Sequence, residues 1–190
     1  LVIDAGLMVL ALAVFKDPAT GALRLACGGL TSTNKVSVFD AVAGGEALVV
    51  IDVGSEVYAL AVFTDPATGA SRIACGCDDG EVRIFDPVAG GEALLVLRGG
   101  GCSLVVFTDA ATGALRLASG SRDGSVRVWD LAAGGAALFV LEGHTNCVVA
   151  LTAFTDPATG EPRLVSGSQD KTVRVWDASK GGAALRVVAF

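Results

Sequence analysis

Residues 154–167 read FTDPATGEPRLVSG, and three earlier stretches repeat that string: FKDPATGALRLACG from Phe15, FTDPATGASRIACG from Phe63 and FTDAATGALRLASG from Phe107. The four phenylalanines stand 48, 44 and 47 residues apart. The chain is therefore a tandem array with a unit of about 46 residues. Two further anchors keep the same period. Each string is followed by VSVFD ending at Asp40, VRIFD at Asp86, VRVWD at Asp130 or VRVWD at Asp177. Beyond these lie a glycine pair and a short apolar run: GGEALVVI, GGEALLVL, GGAALFVL and GGAALRVV. The spacing predicts one array over residues 1–190, with repeats at about 1–48, 49–94, 95–138 and 139–185 and with 186–190 ending the last outer strand.

Inside a unit the apolar segments have strand length, as Val57–Phe63, Arg72–Gly76, Val82–Phe85 and Ala93–Leu97 illustrate. Asp-Pro-Ala-Thr-Gly, Asp-Asp-Gly and Gly-Gly separate them. Proline presets the backbone angle of a turn, and the later glycine accepts a positive φ. VRVW predicts a half-buried strand with Arg outward and Val and Trp inward. No segment offers an apolar stripe of helical length. The predicted fold class is all-β, with four four-stranded antiparallel sheets.

Composition agrees. Hydrophobic residues are 52% and charged residues 18%, and there are 25 glycines in 190 residues, which excludes disorder and long charged surface helices. The apolar run Leu7–Phe15 is nine residues, where a membrane helix needs about 20. A net charge of −6 has the wrong sign for nucleic-acid backbones. Arginines recur at Arg72, Arg116 and Arg163, and again at Arg83, Arg127 and Arg174; with Asp nearby, the pattern predicts solvated strand faces. No basic residue precedes Lys16, so a secretory signal is not expected. The first residue is Leu1, not Met, which suggests a piece of a longer chain. Five cysteines without framework spacing (Cys27, Cys75, Cys77, Cys102 and Cys147) suggest a reduced intracellular setting, cytoplasmic or nuclear.

The stretch GHTNCVVALTAF…RLVSGSQDKTVRVWD, Gly143 to Asp177, resembles a WD repeat, with Gly-His before the first strand and Trp-Asp closing the third. The resemblance is strongest over 139–177, good over 115–130, and carried to the two earlier units by alignment within the chain. It implies β-propeller blades and a non-catalytic platform for proteins or peptides. It also implies a buried hydrogen-bonded tetrad of His144, Ser166, Asp170 and Trp176. The third unit retains Ser119, Asp123 and Trp129, with Gly100 at the histidine position. The second has Cys75, Asp79 and Phe85 with Gly54; the first has Cys27, Thr33 and Phe39. The loops where such repeats dock partners carry Ser55, Glu56, Asp78, Arg122, Thr145, Asn146 and Gln169.

Other chemistries fit less well. Cys75-Gly76-Cys77 lacks the four ligands of a zinc site, so no metal is expected. His144 and Cys147 could be read as base and nucleophile, but the repeat gives His144 a structural place and Cys147 falls in the register of the first strand, so no catalysis is expected. Gly99-Gly100-Gly101 precedes no helix, so no phosphate loop or other cofactor site is expected. The third unit has only ten residues from Leu97 to Phe107, against thirteen from Leu141 to Phe154. The first carries two extra residues around Leu30–Thr33. Leu1-Val2-Ile3 aligns with the outer strands, giving five outer segments for four sets of inner strands. That count predicts an open arc, or partial β-propeller: a segment of a larger ring, or a half-ring forming a homodimer through its open blade flanks.

Overall fold

A computed structural model of the chain describes residues 2–6, 8–30 and 34–189. Among them there are strands and turns but no helix. The strands form four separate four-stranded antiparallel sheets, each a meander in sequence order. The first holds β1 (Met8–Lys16), β2 (Leu23–Leu30), β3 (Lys35–Asp40) and β4 (Gly44–Asp52). The second holds β5 (Val57–Thr64), β6 (Ser71–Cys77), β7 (Glu81–Phe85) and β8 (Leu95–Arg98). The third holds β9 (Ser103–Thr108), β10 (Leu115–Gly120), β11 (Val126–Asp130) and β12 (Phe139–Leu141). The fourth holds β13 (Val148–Thr155), β14 (Pro162–Ser168), β15 (Thr172–Asp177) and β16 (Arg186–Ala189). The all-β class and the four four-stranded blades expected from the repeats are the observed architecture.

Two compact units divide the chain, Leu1–Val96 and Leu97–Phe190. In the first, β5 packs on β1 and β2 around Phe15, Ala26, Val38, Ile51, Ile73, Cys75 and Phe85. In the second, β13 packs on β9 and β10 around Phe107, Ala118, Val128, Leu141, Leu164 and Trp176. These faces are aliphatic and aromatic because the two sheets of each unit pack against one another. Every fully buried Leu, Ile or Val side chain contributes about 1.5–3 kcal/mol relative to exposure.

The burial pattern of β11 corrects the expected facing of VRVW. In β11 the burial runs Val126 buried, Arg127 intermediate, Val128 buried, Trp129 buried. Period-two geometry puts Arg127 and Trp129 on one face and the valines on the other. Arg127 thus shares its face with the buried Trp129, and the buried valines lie on the opposite one.

The terminal strand expectation is also corrected. Val2 and Ile3 lie in no strand and Val2 is fully open to solvent; Leu1 falls outside the described residues. The two extra residues of the first unit fall around residues 31–33, likewise outside them. The short third unit has a clear structural outcome. Sheets one, two and four carry a register shift near the start of their first strand, at Val9/Ala11, Val57/Ala59 and Val148/Ala150. Strand β9 pairs with β10 without one, from Ser103↔Gly120 to Thr108↔Leu115. The missing residues are those of the bulge and of the loop, where Gly99, Gly100 and Gly101 take φ of 101°, 133° and 117° in succession.

Candidate functional site

The fourth sheet links four side chains in one hydrogen-bonded chain. Trp176 Nε1 donates to Ser166 Oγ at 2.7 Å, Ser166 Oγ lies 2.7 Å from His144 Nε2, and His144 Nδ1 lies 2.9 Å from Asp170 Oδ2. Strand pairing sets Leu164 against Trp176 and Ser166 against Arg174, which brings the indole edge over the serine. An indole N–H can only donate, so Ser166 Oγ accepts it and passes its own proton to Nε2. That connectivity assigns the imidazole proton to Nδ1, where it is donated to Asp170. Thr172 Oγ1 donates to Asp170 Oδ1 at 2.7 Å, and the Thr145 amide donates to Oδ2 at 3.0 Å. Burial alone pushes the Asp170 carboxyl up. Hydrogen bonds from the Thr172 hydroxyl, the Thr145 amide and His144 outweigh it and hold the group well below the usual carboxylate range. His144 meets the Trp176 ring edge-on at 6.1 Å, and the Arg174 guanidinium lies 5.9 Å from that ring's centroid. Gly143 leaves room for this stack: a Cβ there would stand 2.5 Å from Arg174 Nη1.

The third sheet resolves the loss of histidine differently. Trp129 Nε1 still donates to Ser119 Oγ at 2.9 Å, but the serine passes its proton to the Gly99 carbonyl at 3.3 Å. Asp123 is taken by Arg127 Nη2 at 2.8 Å and by the Ser125 hydroxyl at 2.5 Å. Burial pushes that carboxyl up, and the Arg127 and Ser125 hydrogen bonds carry it well below its ordinary value. In the second sheet Asp79 pairs with Arg83 at 2.7 Å, while Cys75 and Phe85 are simply buried. In the first, Cys27 and Phe39 are buried in the same way, and Thr33 lies outside the described residues. Losing donor and acceptor together leaves no buried polar group unpaired, the less costly way to lose such a bond.

A second network, absent from the sequence reading, recurs in every unit. The arginine of the second strand sits between the aspartate of the preceding turn and the aspartate ending the third strand. Arg24 reaches Asp40 at 3.0 Å and Asp17 at 3.4 Å; Arg72 reaches Asp86 at 2.9 Å and Asp65 at 3.8 Å. Arg116 pairs with Asp130 and reaches Asp109 at 3.8 Å. Arg163 contacts Asp156 at 3.6 Å and Asp177 at 3.4 Å, the latter as an ion pair without hydrogen-bond geometry. The arginine side chains are only 11–17% exposed, which corrects the expectation of solvated strand faces. Each aspartate also closes a turn with its other oxygen, as Asp65 Oδ1 does for the Ala67 amide and Asp86 Oδ1 for those of Val88 and Ala89. The signal was in the sequence: an Arg at a fixed place between two turn aspartates, four times over.

Of the loop residues, Arg122, Thr145, Asn146 and Gln169 are exposed, Glu56 and Asp78 are half-buried, and Ser55 is buried. The Ser55 hydroxyl accepts the Asp79 amide at 3.3 Å, so it serves its own sheet. The Asn146 carbonyl accepts from Ser168 at 2.9 Å and the Gln169 amide donates to the Cys147 carbonyl at 3.0 Å, which fixes the backbone of both loops and leaves the side chains of Thr145 and Gln169 at the surface. Among the described residues no group of three or more His, Cys, Asp and Glu is placed to hold a metal ion. Among them no helix is long and apolar enough to cross a membrane.

The family model for the WD domain, G-beta repeat, matches residues 103–130 and 135–177. Those two segments are similar to WD repeats, and the four four-stranded antiparallel sheets are consistent with the blades of a WD-repeat propeller. Repeats of this family serve in general as non-catalytic scaffolds for protein interaction. No curated protein matches the chain.

Proposed function

We propose that this chain is a non-catalytic protein-interaction scaffold, a segment of a larger WD-repeat protein that docks proteins or peptides on its loop face. The observation that supports it most is the contrast within each unit. The turn aspartates and their arginines repeat in all four, whereas the residues at the loop tips differ from copy to copy: Asp78, Arg122 and Gln169 hold the same place. A frame held by one network and tipped by varied, exposed side chains fits recognition. The docking residues of the second unit are Arg122, Thr145, Asn146 and Gln169; Glu56 and Asp78 hold the corresponding loops of the first. A peptide-display selection against the whole chain tests this. Binders that lose at least tenfold in affinity to Arg122→Glu and Gln169→Ala, with Tm unchanged, are the expected result; binders indifferent to all four positions overturn the face.

One observation favours a second reading, a self-associating half-propeller. Phe15 and Phe107 are 6% and 8% exposed, each covered by the next sheet of its own unit, but their equivalent Phe154 is 46% exposed. On the first sheet Leu12 is 60% exposed, whereas Leu60 and Leu151, at its place in the second and fourth sheets, are half-buried against the sheet before. A concentration series in the analytical ultracentrifuge decides it. A dimer abolished by Phe154→Asp supports self-association, and a monomer throughout rejects it.

A further inference from the structure

Cys102 and Cys147 hold the same place in the third and fourth sheets, each directly before the first strand, where the second sheet has Glu56. Strands β9 and β13 pack side by side within the second unit, and the two sulfurs lie 3.1 Å apart although 45 positions separate them in sequence. Both residues are half-buried free thiols. The flanking backbone is tied across the two sheets: Ser103 Oγ donates to the Val148 carbonyl at 2.9 Å and the Val148 amide to the Ser121 carbonyl at 3.0 Å. Within each sheet the Cys102 amide donates to the Gly120 carbonyl and the Gln169 amide to the Cys147 carbonyl, both at 3.0 Å. A disulfide bond is about 2.04 Å long, so the sulfurs need to close by about 1 Å while their backbones stay in place.

We propose that Cys102 and Cys147 form a reversible dithiol–disulfide site, oxidised by low-molecular-weight disulfides of the glutathione type, that locks the first strands of the third and fourth sheets together. Cys147 as thiolate attacks one sulfur of the small disulfide, forming a mixed disulfide and releasing one small thiolate. Cys102 gives up its proton to solvent and its sulfur attacks Cys147 Sγ, expelling the second small thiolate. The two protein thiols lose two electrons and two protons in total, and the small disulfide is reduced to two thiols. The Cys102 thiol is pushed up to about 12 by burial and by the Cys147 sulfur, with the Arg122 guanidinium working against the rise. That assigns Cys102 the second, intramolecular step, where the target sulfur is already in contact. Cys27, Cys75 and Cys77 are buried, and burial pushes their thiols up as well, to about 11 at Cys77. They serve as internal controls. The site stands without the docking reading.

The test equilibrates the whole chain in buffers of stepped reduced-to-oxidised glutathione ratio, quenches with acid, alkylates the free thiols and measures intact and peptide masses. The expected product is lighter by two hydrogens, takes up two fewer alkyl groups and yields a Cys102–Cys147 linked peptide. Its Tm lies roughly 5–10 °C above that of the reduced chain and returns with dithiothreitol. Cys102→Ser should trap a stable glutathione adduct on Cys147. Alkylation of both thiols at every ratio, an adduct persisting on the unaltered chain, a link involving Cys27, Cys75 or Cys77, or an unchanged Tm on oxidation each overturn the proposal. The mass measurement uses the unaltered chain, so it holds even if a serine variant folds poorly.

Discussion

Arg127 Nη2 stands 2.8 Å from Asp123 Oδ2 in the third sheet, gripping the carboxylate that its counterpart in the fourth sheet, Asp170, offers to His144 instead. The two sheets thus solve one problem twice. Where the imidazole is present, Arg174 is released to lie over Trp176; where it is absent, arginine takes the aspartate.

Restoring the histidine alone should therefore fail. Gly100 is buried with φ of 133°, a conformation that a side chain disfavours, and Asp123 is already held. Gly100→His is expected to lower stability by about 1–3 kcal/mol in urea unfolding. A gain in Tm would show that a full four-membered chain forms after all.

Trp176→Phe removes the indole donor and leaves Ser166 Oγ with His144 as its one remaining side-chain partner. The expected loss is about 1–2 kcal/mol, seen as a lower Tm. The second sheet buries Phe85 with Cys75 at the same two places, so adding Ser166→Cys to Trp176→Phe should cost less than the two single changes summed. An unchanged Tm for Trp176→Phe would reject the hydrogen-bonded chain as a stabilising element.

The carboxyls of Asp123 and Asp170 are held below their ordinary value of 3.8. A folded-state value below the unfolded one gives stability that is complete above pH of about 4 and is lost as the pH falls from there toward the folded value. Urea unfolding between pH 6 and pH 2 should show this acid loss. In Asp170→Asn the curve should start lower and fall less steeply; parallel curves for variant and parent would contradict it.

Arg116 is 11% exposed between Asp109 and Asp130. Arg116→Met keeps the aliphatic stem but leaves two carboxylates facing each other, with an expected cost of about 2 kcal/mol, intermediate between surface and buried pairs. Adding Asp109→Asn should return part of it, read as a rise in Tm relative to the single variant.

Local features were legible in the sequence. The Asp-Pro-Ala-Thr-Gly turns and the VRVW strands show themselves within a few residues, and their four-fold recurrence set the all-β architecture. Trp176 and His144 were assignable only through a family resemblance, since 32 positions separate them. What escaped depends on register and on neighbouring sheets. Arg72 meets Asp86 only once β6 and β7 are paired, and Cys102 meets Cys147 only once two sheets are packed. Arg127 shares a face with Trp129 because the period of two, and not polarity, sets the direction of a strand side chain. Val2 and Ile3 matched an outer strand in letters but form none.

Each Arg–Asp–Asp brace lies within a single stretch of chain, 17–40, 65–86, 109–130 or 156–177. A genetic duplication or crossover that falls between units therefore copies the brace whole, with no partner left behind in another repeat. The contacts between sheets, such as that of Cys102 with Cys147, are by contrast renegotiated after every such event. The array is in this sense heritable by the module, and its length is an easily changed trait.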